Sequence, residues 1–336
     1  MKGGSQMAFP LFSGTGRPID LVINDHSIRY LELKNSGFPI PLKWGERYLP
    51  PGIIKEGKIV DRETLEVILE QCIQTWKLKN RKVRFLVPDP FVTIRKITIP
   101  TDVHKEEIKE YLYLEMGASI HLPFEDPVFD FVVLPELEDK QEILLFAAHR
   151  ERVLEYSELL TDLKLKPEVA DLSALALYRL YHLLSKRTGD ERLLMIQFDL
   201  DIVNMSIFEN EMPFFMRHYA LPYDEKEWEI RLGRSGFQQL SFIGDEEELQ
   251  QQLDDAYKEM NKLIEFYQFS LHQGKNEINK MVVTGDHPLI SKIVDDLSTR
   301  FEMDVQLLDA SELDTEKNKP LPRSHNLALG LALKEV

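Results

Sequence analysis

Residues 19–34, IDLVINDHSIRYLELK, read as two short apolar strands, IDLVIN (19–24) and IRYLELK (28–34), folded back through Asp25, His26 and Ser27. The pattern returns in the second half, where LLMIQFD (193–199) and IVNMSIFEN (202–210) form another hairpin and MPFFMRHYAL a third strand. Moved back by 174 positions, Asp199 falls on Asp25, Ile202 on Ile28, Met205 on Leu31, Ile207 on Leu33 and Pro213 on Pro39. Both hairpins are followed by strands alternating with helices. The chain is therefore expected to be α/β, with two similar lobes around one cleft.

Working outward, Asp61 is a good N-cap for a helix with apolar positions Leu65, Ile68, Leu69, Cys72, Ile73 and Trp76. VRFLVP (83–88) is a buried strand stopped by Pro88 and Pro90. The rhythm then changes. FVTIRKITIP (91–100) alternates, 104–118 has helical spacing, VFDFVVLPEL and EILLFAAH pair around Glu138–Gln141, and Arg150 to Leu163 is amphipathic. This compact α+β module, at about 91–165, reads as an insertion in a first lobe spanning 19–188. The segment 1–18 is a flexible start, Met1–Gln6 being compatible with an expression remnant, and SKRTGDE (185–191) is the linker. A second lobe follows over 189–336. In it, 245–273 is a long helix whose stripe Leu249, Leu253, Tyr257, Met260, Leu263, Ile264 and Tyr267 favours core packing over a dimerisation seam.

Composition excludes several functions. The 336 residues carry 41 Lys+Arg against 57 Asp+Glu, a net charge of −16, which opposes binding to nucleic acid or anionic lipid. Cys72 is the only cysteine, so a disulfide framework and cysteine-ligated zinc are excluded. No apolar run is long enough to span a membrane, and a cytoplasmic protein is expected. No HExxH pair, nucleophile elbow or Walker phosphate loop is present. His104, His121, His149, His182 and His218 are isolated and read as structural or surface residues.

LPPGIIKEGKIVDRETL (49–65), FVTIRKITIP with HKEEIKEYLYLEMGASIHLPFEDPVFDFVVL, AAHRERVLEYSELLTDLKLKPEVADLSALAL (147–177) and NLALGLALKEV resemble, in order and spacing, the PilM family of type IV pilus assembly proteins, relatives of FtsA in the actin-like ATPase superfamily. The resemblance covers about 19–336. It implies a two-lobed actin-like (ribonuclease H-like) fold with an FtsA/PilM-type inserted subdomain. It also implies a scaffold for pilus or competence-pseudopilus assembly, peripheral to the inner membrane. The scaffold would hold the cytoplasmic tail of a PilN-like bitopic protein and link it to the motor ATPase and platform protein. The implied peptide groove, between first lobe and insert, takes Phe91, Ile94, Arg95 and Ile97 with Tyr111 and Leu114.

The nucleotide motifs of that superfamily are altered. Its two Asp-x-Gly phosphate turns fall on Val22–Ile23–Asn24 and Gln197–Phe198–Asp199, without the aspartate or glycine in the required places. Only Thr284–Gly285 survives of the adenosine turn, followed by Asp286, His287 and Pro288. A degenerate ATP/Mg site would comprise Asn24, Asp25, Ser27, Arg29, Asp199, Asp201, Asn204, Thr284 and Gly285. Against it, Asn24 and Asp25 read as turn residues, Asp199 and Asp201 as solvated carboxylates, and Arg29 equally as a solvent-facing strand residue. No catalysis, no metal and no required cofactor are expected, with homo-oligomerisation left open. The alternatives are an active actin-like ATPase and an FtsA-like filament former.

Overall fold

The computed structural model describes residues 17–34, 39–135, 140–185, 191–232, 238–311, 313, 315–316 and 319–334. The Met1–Gln6 remnant, most of the 185–191 linker and the start of the 138–141 turn lie outside them.

The first sheet contains β1 (Ile19–Asn24), β2 (Ser27–Leu33), β3 (Pro41–Tyr48), β6 (Lys82–Leu86) and β10 (Lys166–Asp171), in the order β3-β2-β1-β6-β10. The second contains β11 (Arg192–Phe198), β12 (Ile202–Glu209), β13 (Met212–Ala220), β16 (Lys280–Thr284) and β17 (Asp304–Leu307), in the order β13-β12-β11-β16-β17. In each, the first three strands are antiparallel and the last three parallel. The parallel pairs are joined through helices, as their geometry requires. These are α1 (Arg62–Trp76) and α3 (Arg150–Asp162) in the first lobe, and α5 (Glu246–Glu265) and α6 (Ile290–Arg300) in the second. Small hairpins follow the third strand of each sheet: β4 (Ile54–Lys55) with β5 (Lys58–Ile59), and β14 (Trp228–Leu232) with β15 (Gln238–Phe242).

The duplication is real, but its offset is 175. Asn24 pairs with Ser27 to close the first hairpin, whereas the second closes through Asp199 N–H to the Ile202 carbonyl at 2.9 Å. Face parity decides the matter, because a one-residue slip sends every side chain to the opposite face. Ile19, Leu21 and Ile23 face α1 and α3; Leu194, Ile196 and Phe198 face α5 and α6. An offset of 174 would set the first trio against Leu193 and Met195, which face the other way.

That other way is a core shared by both lobes. Val22, Leu31 and Leu86 meet Leu193, Met195 and Val282 through two helices, α4 (Ser173–Leu184) and α7 (Asn326–Ala332), sandwiched between the sheets. The helices cross closely: a Cβ on Gly330 would lie 2.2 Å from the Ala176 carbonyl oxygen. Arg84, buried in β6, pairs with Asp20 (2.6 and 3.0 Å) and donates to the carbonyls of Ala332 (3.2 Å) and Lys334 (2.6 Å), tying the end of α7 to the first sheet.

The insert is a sheet of β7 (Val92–Ile99), β9 (Gln141–His149) and β8 (Pro127–Val133), in the order β7-β9-β8, under α2 (Ile108–Glu115). The helix is shorter than the 104–118 spacing suggests. Residues 104–107 form a turn, and Gly117 (φ +83°) leads the chain away from the helix end. In lobe two, the acidic helix is capped by Asp245, which accepts from Glu247 N–H at 2.7 Å, and passes into a π-helical turn at Phe266–Leu271. Its apolar stripe is core, as expected.

Candidate functional site: an acidic cleft between the lobes

The carboxyl ends of parallel strands β1 and β6 face those of β11 and β16 across the cleft, where α/β sheets place their ligands. The residues expected there do meet, but most are engaged by the protein itself. Asn24 Oδ1 accepts from Ser27 N–H (2.9 Å) and Oγ–H (2.7 Å), the turn role read in the sequence. Asp25 accepts from Gly57 N–H at 2.9 Å. Thr284 Oγ accepts from Asn326 Nδ2 at 3.2 Å. Gly285 has φ +124°, and a Cβ there would sit 1.9 Å from the Phe198 carbonyl oxygen, so its glycine character serves packing within lobe two.

Arg29 is neither solvent-facing nor available to a phosphate. It is 4% exposed, pairs with Glu46 (2.5 Å), and reaches across the cleft to Asp286 (2.6 Å). His26 joins from the β1–β2 turn, its Nε2 2.8 Å from the same Asp286 oxygen and its Nδ1 3.7 Å from Asp201. Burial works against the imidazolium, yet Asp286 and Asp201 outweigh it and push His26 up to about 10. For Asp286, Arg29 and His26 overcome burial and hold the carboxyl well below its usual range. The Asp286 carboxylate thus stands between the two lobes as a built-in anion. Sequence reading saw Asp286 only as a broken motif; its partners lie far away in the chain.

Beside this cluster, a cavity of about 170 Å³ is lined by Asp25, Glu56, Asp89, Asp199 and Asp201. Asp89 accepts from Ser173 Oγ–H and from Asn204 Nδ2 (2.6 Å), a second bridge between the lobes. Burial pushes Asp89 to about 6, and burial with the neighbouring Asp201 charge pushes Asp25 to about 6. Asp199 rises well above the usual carboxylate range through burial and Asp286. These residues do not fit a nucleoside triphosphate. No Lys or Arg lines the cavity, and the cleft's cations, Arg29 and His26, are spent on Asp286.

The six expected peptide contacts do not form one surface. Ile94 is 3% exposed in the shared core, because even-numbered β7 side chains face the lobes, and so is removed from the groove. Ile97 and Tyr111 pack into the insert's own core, Leu114 stands 79% exposed on α2, and Arg95 donates to the His121 carbonyl at 2.6 Å. Phe91 is half-buried where insert and first lobe join. It meets residues that sequence reading had not singled out as contacts: the His149 ring (centroids 6.2 Å apart), Phe124 beyond it (5.7 Å from His149), and the Arg152 guanidinium 5.8 Å from the Phe91 centroid. The LPF turn (122–124) and AAHRER (147–152) carried the family resemblance, which was the available signal.

Two sheets of one order, closed over a shared helical layer with a cleft at their strand ends, define an actin-like ATPase fold. The chain belongs to the type IV pilus assembly protein PilM family, whose model matches residues 20–225, more than half of its length. Among solved structures it is similar to a PilM–PilN type IV pilus biogenesis complex, at 19% identity over 94% of this chain and 97% of that one, with TM-score 0.75. It is more distantly similar to the ethanolamine utilization protein EutJ from Carboxydothermus hydrogenoformans (10% identity, 94% and 89% covered, TM-score 0.49). A Bacteroides thetaiotaomicron protein of actin-like ATPase fold and unknown function stands at 9% identity, 96% and 99% covered, TM-score 0.47. No helix among the described residues is long and apolar enough to cross a membrane.

Proposed function

We propose that the chain works in type IV pilus or competence-pseudopilus assembly as a scaffold at the cytoplasmic face of the inner membrane. It holds the N-terminal tail of a PilN-like bitopic protein and couples it to the motor ATPase and platform protein, without turning over nucleotide. Family membership supports the pilus role, and the similar solved complex contains a PilN partner. The observation that carries the tail-binding reading is the half-buried cluster Phe91, Phe124, His149 and Arg152 at the root of the insert. Phe124 also borders a surface depression of about 430 Å³ on the loop that Arg95 pins through His121. Partly exposed aromatics and an arginine are the residue types that anchor peptides.

The test is fluorescence anisotropy with a labelled tail peptide from the PilN-like protein of the same genome. Phe91→Ala and Phe124→Ala should each weaken binding about tenfold or more with an unchanged circular dichroism spectrum. Arg95→Ala should weaken it by releasing the loop, and Leu114→Ala should not. Unaltered affinity in the Phe91 and Phe124 variants removes this groove.

A further inference from the structure

The cavity beside the Asp286 cluster is built almost entirely of acceptors. Besides its five carboxylates it is lined by the amides of Gln197 and Asn204, each 4% exposed. Gln197 Nε2 donates to Asp199, and Asn204 Nδ2 to Asp89, whose carboxylate fixes which end of the Asn204 amide is nitrogen. That leaves Gln197 Oε1 and Asn204 Oδ1 with no donor among the described residues. Two buried acceptors without partners, in a cavity ringed by carboxylates and lined by no Lys or Arg, ask for a cation with several N–H groups.

A metal ion does not match. Among the described residues no three His, Cys, Asp or Glu side chains stand close enough to share one, and metals need ligands at about 2.0–2.6 Å. The rest of the lining mixes apolar residues, among them Val22, Leu86 and Ile202, with the polar Asn24, Ser173 and His218. Outward, Asp25, Glu56, Asp201 and Ala220 also border a second depression of about 600 Å³, whose walls include Leu49, Ile54 and Leu221. An inner volume of about 170 Å³ equals about six waters, room for a planar cation and a few methylenes.

We propose that this cavity binds a guanidinium or primary ammonium group carried on an alkyl chain, the cation among the carboxylates and amide oxygens and the chain leaving past Ala220. The site inverts the charge preference of a nucleotide cleft. The raised carboxyls are consistent with it, since a cation beside Asp25 and Asp89 would draw them back towards the ordinary carboxylate range.

Isothermal titration of the full chain with agmatine, with a Gly-Arg-Gly amide, and with Mg-ATP tests this. Saturable binding of agmatine supports a free amine as ligand, and binding of the peptide alone supports an arginine side chain; Mg-ATP should give no competing heat. Asp89→Asn should weaken binding about tenfold, the worth of one charged hydrogen bond. Glu56→Gln, at an exposed position, should weaken it by a smaller factor. Absence of heat from both cations with folded protein, displacement of agmatine by Mg-ATP, or unchanged affinity in both variants would overturn the proposal.

Discussion

Replacing Asp286 by asparagine removes one charge from the cluster that joins the lobes while keeping the side-chain shape. The aspartate side chain is 6% exposed and accepts from Arg29 (2.6 Å) and His26 (2.8 Å), both in lobe one. Removing one partner from a buried ion pair costs about 3–5 kcal/mol. Here the lower figure applies, because Arg29 keeps Glu46 and His26 keeps Asp201. About 3 kcal/mol lowers the melting temperature by about 6–12 °C, nearer the lower value for a chain of this length. The pH dependence identifies the cause. His26 titrates near 6.5 when unfolded and at about 10 in the folded protein, so its stabilisation is complete below about pH 6.5 and is lost as pH rises through about 10. Differential scanning calorimetry between pH 6 and 10 should show the wild type losing stability across that window, and Asp286→Asn starting lower with a shallower slope. Equal slopes in the two proteins, or equal melting temperatures at pH 6.5, would refute the reasoning.

Two further substitutions test the layer between the sheets. Gly330→Ala places a methyl 2.2 Å from the Ala176 carbonyl oxygen, which must push α4 and α7 apart; thermal melts should fall by at least the about 1–3 kcal/mol of an overpacked core. Arg84→Met leaves Asp20, which is fully buried, without its bidentate partner and releases two carbonyls of the chain end; urea denaturation should register a loss of about 3–5 kcal/mol, partly restored by adding Asp20→Leu.

Periodicity made much of the fold legible. The apolar runs within 19–34 and 193–210, each broken by a short polar turn, marked both hairpins, and Asp61 marked the start of α1, where its carboxylate accepts from Thr64 N–H at 3.0 Å. Offset was harder: apolar residues occupy both faces of these central strands, so 174 and 175 look alike until the packed faces separate them. The hairpin of β14 and β15 went unread although WEIRL (228–232) alternates apolar and polar residues; it is a separate two-stranded sheet outside the repeated five-stranded pattern. In the insert, alternation of β7 was visible, but both its faces are covered, one by α2 and one by the lobes, so Ile94 could be mistaken for a groove residue.

The sequence by itself determined most of the strands and helices of both lobes, the duplication, the insert and the family. These rest on local spacing, turn residues and motif order, all of which are written along the chain. Only the tertiary structure decided what the cleft became. His26 and Asp286 lie 260 positions apart, and Asn204 and Asp89 are separated by 115. No local pattern announces that such residues will meet. Their charges, unremarkable in the sequence, acquire their meaning from burial: inside the cleft a carboxylate must find a cation, and the chain itself supplies Arg29 and His26 to Asp286.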